Sequence, residues 1–216
     1  DADLARRTVY VETSRGCPFT CAYCTSAGSG LRLIPLRLLL PAFDELWRRG
    51  LRRFKFLDRS FNAPAEHACA VLDFFRSRVT ADTCLHVEIQ PDRLHPDVLS
   101  RLADFPTGTL HLEVGIQTLT PHVAAAIGRS PDTARTLETL RVLTRETGAT
   151  VHADLIFGLP GENEDTFARG FNTLVTVCDP PEVQVNWLKG LPGTRFAREA
   201  QRLVLAFNPE PPYELL

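Results

Sequence analysis

The chain contains no methionine, and Lys55 and Lys189 are its only lysines among 24 basic residues. We read the arginine excess as a bias of genomic base composition, because exchanging Arg for Lys does not define a function. No apolar run reaches the ~18 to 20 residues of a membrane span, and the opening DADLARR has neither an apolar signal core nor a cleavage site. We therefore expect a soluble, cytoplasmic protein with no membrane partner. Positive charge is not in excess either. A formal net charge of −2 leaves no overall field to draw in nucleic acid. No Gly/Ser-rich or Pro-rich linker divides the chain, so we expect one domain over residues 1–216. Because it starts at Asp1 without any Met, we expect that domain to be part of a longer polypeptide.

With 216 residues, 44% hydrophobic and 23% charged, the composition is that of an ordinary folded domain. Six cysteines would suit a secreted disulfide scaffold if they were evenly spread in a short chain, but here they are not. Cys17, Cys21 and Cys24 crowd together, whereas Cys69, Cys84 and Cys178 stand singly in apolar segments and read as core.

Apolar runs rich in β-branched residues alternate with stretches of helical period. We expect strands at Thr8–Glu12, Arg53–Leu57, Leu85–Ile89, Leu110–Ile116, Val151–Phe157 and Val183–Leu188. Helices are expected at Leu36–Arg49, Ala65–Val79, Pro96–Ala103, Pro121–Ile127, Pro131–Thr147, Asp165–Val177 and Thr194–Leu203. Six βα units in succession predict an α/β fold, a partial (βα)6 TIM-like barrel of parallel strands with outer helices. Chemistry in such folds gathers at the C-terminal ends of the strands. Those ends carry the cysteine cluster, Asp58 to Asn62, Glu88 to Asp92, Gly115 to Thr118 and Gly158 to Glu162.

The cluster runs Arg15-Gly-Cys-Pro-Phe-Thr-Cys-Ala-Tyr-Cys24, a Cys-x3-Cys-x2-Cys spacing. Three thiolates from one tight loop can hold three irons of a four-iron cubane, leaving the fourth iron open to a ligand with an amine and a carboxylate. A structural zinc site is the competing reading. It needs a fourth ligand and usually a second close pair, and no second pair is present.

The loop resembles the signature of the radical S-adenosylmethionine (SAM) superfamily, including the aromatic Tyr23 just before the last cysteine. The stretches Val87-Glu-Ile-Gln-Pro-Asp92, Glu113-Val-Gly-Ile-Gln117, Ile127-Gly-Arg129 and Asp154-Leu-Ile-Phe-Gly-Leu-Pro160 extend the likeness. In that order they resemble oxygen-independent coproporphyrinogen oxidases, methylthiotransferases and, most of all, cobalamin-linked radical SAM proteins. The likeness runs from about Val9 to about Arg195. It implies a [4Fe-4S] cluster on Cys17, Cys21 and Cys24, and reductive cleavage of SAM to a 5′-deoxyadenosyl radical. It further implies Gln117 and Asp154 near the ribose hydroxyls, Glu88 and Arg129 near the ribose and methionine ends, and the strand end with Gly158 against adenine. Tyr23 would offer its backbone to the adenine edge.

The superfamily's short Gly-rich stretch at the second strand is missing, and Lys-Phe-Leu-Asp-Arg-Ser-Phe-Asn stands there instead. That variant makes Asp58 the candidate acceptor for the SAM amine. Asn62 reads almost equally well as a helix N-cap. Bland roles also exist: Glu88 and Glu113 as a polar layer, Arg129 as a solvated helix end. The resemblance implies an upstream cobalamin-binding domain in the full-length protein, an external electron donor of flavodoxin or ferredoxin type, and a substrate that the sequence does not name. The alternatives are a methylthiotransferase-like domain modifying RNA or protein, and a non-catalytic metal-binding scaffold.

Overall fold

A computed structural model describes residues 4–216. The elements are β1 (Thr8–Val11), β2 (Ser14–Cys17), β3 (Gly30–Leu33), α1 (Leu36–Arg48), β4 (Arg53–Phe56), α2 (Ala65–Arg76), β5 (Cys84–Ile89), α3 (Pro96–Ala103), β6 (Leu110–Gln117), α4 (Pro121–Ala126), α5 (Thr133–Arg145), β7 (Thr150–Phe157), α6 (Glu164–Cys178), β8 (Glu182–Trp187) and α7 (Arg195–Glu199). Short 3-10 turns lie at Leu4–Arg6 and Pro91–Arg93.

The large sheet runs in the order β1-β4-β5-β6-β7-β8, with every pairing parallel. β1 and β8 are its two edges, so the sheet curls without closing. This is the partial-barrel α/β architecture expected from the alternation of strand and helix. Among the described residues no helix is long and apolar enough to cross a membrane.

Successive side chains on a strand point to opposite faces, and the sequence uses that alternation throughout. Leu110, Leu112, Val114 and Ile116 of β6 and Val151, Ala153 and Leu155 of β7 are buried toward the helices. The alternate residues His111, Glu113, Gly115, Gln117, His152 and Asp154 are half-buried on the concave face. Register places them side by side: Glu88 beside Glu113, Glu113 beside His152, Gly115 beside Asp154. Beneath β4, an aromatic cluster of Phe43, Trp47, Phe54, Phe56 and Phe75 packs largely edge-to-face at 4.9–6.4 Å between ring centres. Such offset pairs add to plain apolar burial.

Three expectations need correcting. Five helices are one to several residues shorter than their periodicity suggests, α3 has the expected bounds and α6 extends one residue further at each end; α7 has only five residues, because the chain continues in turns and reverses at Val204, whose φ is +56°. The hairpin β2–β3 is additional: Ser14–Cys17 and Gly30–Leu33 pair antiparallel within what reads as loop. Cys69 and Cys178 are core, but Cys84 begins β5 on the concave side and is only half-buried.

Candidate active site

The cysteine loop is a built structure. Cys17 ends β2 opposite Gly30, so the triplet hangs from a hairpin rather than from a free strand end. Gly16 has φ +89°, and a Cβ there would sit 1.9 Å from the Gly30 carbonyl oxygen. Only glycine fits that crossing. The Cys17 amide donates to the Ser29 hydroxyl at 3.1 Å, and the Gly28 amide to the Phe19 carbonyl at 2.8 Å. From outside the loop, the Ala22 amide donates to the Ile127 carbonyl at 3.0 Å, and the Ala22 carbonyl accepts from the Phe196 amide at 3.1 Å. Gly128, with φ +81°, lies so close that a Cβ would be 3.0 Å from the Thr20 carbonyl oxygen. The ends of α4 and α7 therefore clamp the loop over the sheet.

Beneath the loop, at the C-terminal ends of β5, β6 and β7, lies a cleft with about 680 Å³ not filled by protein atoms, partly open to solvent. Cys17, Cys21, Cys24 and Tyr23 of the loop line it together with Glu88, Gln90, Glu113, Gln117, Arg129 and Asp154. Eight of the ten residues named from the sequence thus meet in one place. Asp58 and Gly158 do not line it. The Asp58 carboxylate is buried and accepts from the Thr13 amide at 2.9 Å, the Thr13 hydroxyl at 2.6 Å and the Ser14 hydroxyl at 2.6 Å. It ties the end of β4 to the entry of the cysteine hairpin, which is a structural use for the residue proposed as an amine acceptor. Gly158, with φ +90°, leaves room for Leu215, whose Cδ2 would stand 2.7 Å from an added Cβ.

Arg129 is not a solvated helix end. It is buried, donates at 2.7 Å to both Asp92 and the Gly115 carbonyl, and keeps its Nε without a partner. Burial alone would lower this guanidinium's pKa; Tyr23, Asp92 and Cys21 outweigh that and raise it. Gln117 has φ +71°, rare for a side-chain-bearing residue, at a register shift between Gly115 and Gln117. Its amide folds back over Gly115, where an added Cβ would meet Nε2 at 2.6 Å. Asn62 does not cap α2, whose N-cap is Pro64; its side chain instead makes two 3.0 Å bonds with the Gln90 backbone.

Sequence reasoning passed over Gln90 and Asp92. Gln90 is buried, carries an unpartnered Oε1, and brings Nε2 to 3.9 Å from the Cys21 sulfur. Both residues lie within the quoted Val87 to Asp92 stretch, which is the signal that pointed to them.

The electrostatics suit polar ligands. Burial pushes the Cys17 thiol up, as expected for a thiol awaiting a counter-charge. Burial, then the neighbouring Glu113, raises Glu88 and takes Asp154 to about 6. Glu113 itself is lowered, chiefly by a 2.9 Å hydrogen bond with His86. Among the described residues no three His, Cys, Asp or Glu side chains converge tightly enough for one metal ion. A cubane asks for something different, since each thiolate takes its own iron. Three free thiols in one cleft with an unpaired Gln90 oxygen and an unpaired Arg129 nitrogen fit a cluster together with a polar ligand.

The open parallel sheet carries the three-cysteine cleft at its strand ends. The model of the radical SAM superfamily matches residues 11–174, and the chain belongs to that superfamily. It is similar to the ribosomal protein uS12 methylthiotransferase RimO of Carboxydothermus hydrogenoformans, 20% identical over 167 residues, which are 73% of this chain and 38% of RimO. In fold it is similar to the radical SAM methyltransferase TsrM from Kitasatospora setae, solved with tryptophan substrate and a SAM analogue. The TM-score is 0.78 at 20% identity, over 95% of this chain and 42% of TsrM. A second TsrM structure, holding cobalamin and a [4Fe-4S] cluster, gives the same score. The coproporphyrinogen III oxidase HemN of Escherichia coli matches at TM-score 0.57 and 20% identity, over 91% of this chain and 46% of HemN. The chain spans less than half the length of each of these proteins.

Proposed function

We propose that this chain is the catalytic core of a radical SAM enzyme, with a [4Fe-4S] cluster on Cys17, Cys21 and Cys24 and SAM along the strand ends. The observation that carries the reading is the cleft itself, where the three thiols of one loop face Gln90, Gln117, Arg129 and Asp154. When bound and reduced, the cluster supplies the electron that cleaves SAM. The protein's part is binding and orientation. Asp154, paired in register with Gly115, and Gln117, whose amide folds over that glycine, would present a carboxylate and an amide to a ribose diol. Glu88 borders the same ligand, and the Arg129 guanidinium, braced by Asp92, keeps Nε free for a carboxylate. The loop backbone at Tyr23 would meet the adenine edge.

An external flavodoxin- or ferredoxin-like protein is the proposed electron donor. The likeness to TsrM supports placing the chain among cobalamin-linked enzymes, with cobalamin held by another part of a longer polypeptide and a substrate yet to be identified. Anaerobic reconstitution with iron and sulfide tests the core of the reading. We expect about four irons and four sulfides per chain, and formation of 5′-deoxyadenosine and methionine from SAM on reduction. A colourless, zinc-loaded protein would overturn it. For the cobalamin part, a full-length protein reconstituted with cobalamin should keep its corrinoid absorbance after desalting, whereas residues 1–216 alone should not.

A further inference from the structure

His152 and Asp154 lie two residues apart on the concave face of β7, so both side chains point the same way. The Nδ1 of His152 is 3.0 Å from Glu182 on β8, its direct neighbour in register. Its Nε2 is 3.4 Å from the Asp154 carboxylate, buried and without an aligned hydrogen bond. A neutral imidazole has one N–H. With that hydrogen donated to Glu182, Nε2 would turn a lone pair toward a carboxylate unless a proton stands between them. We propose that His152, anchored by Glu182, is a positioning residue that holds a proton against Asp154 and aims its carboxylate into the cleft, making the grip on the SAM ribose pH-dependent. The inference rests on the reading of this cleft as a SAM site.

The other groups facing Asp154 do not substitute for His152. Glu88 on β5 and Glu113 on β6 are acidic, Gln117 and Gln184 are neutral, and Tyr23 and the cysteines of the same cleft carry no positive charge. Arg129 is already committed to Asp92 and the Gly115 carbonyl. Lys55, which pairs in register with His86, is on β4, three strands away from β7. His152 is thus the basic group next to Asp154 in the sheet.

The direction of the pH effect follows. Burial and Glu113 raise the Asp154 pKa to about 6, and His152 works against them. Above that value Asp154 is ionised and accepts from two hydroxyls; below it the carboxyl gains a proton and loses acceptor capacity. Removing the imidazole removes the opposing influence, so the midpoint moves up.

The test measures SAM dissociation constants from pH 5 to pH 9 on the anaerobically reconstituted chain, for wild type, His152→Gln, His152→Ala and Glu182→Gln. Carboxyl 13C NMR of Asp154 on the same proteins before reconstitution gives the ionisation directly. Wild-type affinity should fall as pH drops through about 6. His152→Ala should weaken binding about fivefold at pH 8, the worth of one hydrogen bond. His152→Gln, which keeps a donor without the charge, should recover most of that affinity while its midpoint stays above wild type. Glu182→Gln, on the exposed edge strand, should shift the midpoint the same way by less. If wild type binds SAM but neither the midpoint nor the NMR titration moves in His152→Gln, the positioning role is wrong. If wild type binds no SAM at any pH, the reading of the cleft fails instead.

Discussion

The carboxylate of Asp58 holds the Thr13 amide and two hydroxyls at the point where the chain leaves β1 for the cysteine hairpin. Deleting it strands a buried N–H, so Asp58→Ala should cost about 3 kcal/mol by urea unfolding; a loss under about 0.5 kcal/mol, the range of a surface change, would contradict the assignment. The thiols divide in a parallel way. Cys17→Ala, Cys21→Ala or Cys24→Ala should each abolish iron incorporation, whereas Cys69→Ala, Cys84→Ala and Cys178→Ala should keep it, as read by iron and sulfide analysis. At this scale the sequence revealed residue types better than residue geometry. The triplet was legible because its spacing alone restricts the chemistry. Asp58 was not, because nothing local to KFLDRS discloses that Thr13 and Ser14, 45 and 44 residues away, would occupy its oxygens. Arg129 still admitted a bland role as a solvated helix end because Asp92 reaches it only through the fold.

Among the elements, the hairpin β2–β3 matters most for the site and was least visible in advance. Neither SRGC nor GLRL is rich in β-branched residues, and the long connection between them contains Cys21 and Cys24. Pairing is instead made possible by Gly16, whose missing side chain lets the Gly30 carbonyl approach. Gly16→Ala should therefore leave the large sheet's far-UV circular dichroism near wild type but sharply reduce cluster incorporation; full iron content in that variant would show that the hairpin is dispensable. The six parallel strands were legible as apolar runs rich in β-branched residues, and β5 and β6 alternate between a helix-packed and a concave side over their whole length. The last helix was not, since a helical spacing of Phe196, Leu203 and their neighbours persists beyond the point where the backbone turns away.

For the whole molecule, function follows from where an open sheet places its strand ends. Six parallel strands bring residues 113, 117 and 154 beside a loop from the chain's first quarter, and the helices cover the other face. That juxtaposition could be anticipated from βα alternation, because parallel connections are right-handed and put every strand's C-terminal end on one rim. What alternation does not carry is the identity of the substrate. The central claim is that the triplet and the cleft together bind a cluster that meets SAM. Electron paramagnetic resonance of the reduced, reconstituted chain, recorded before and after adding SAM, tests it most directly. The account predicts a reduced four-iron signal that changes on SAM addition and does so less completely in Asp154→Ala and Gln117→Ala at the same SAM concentration; no iron signal, or one indifferent to SAM, would contradict it.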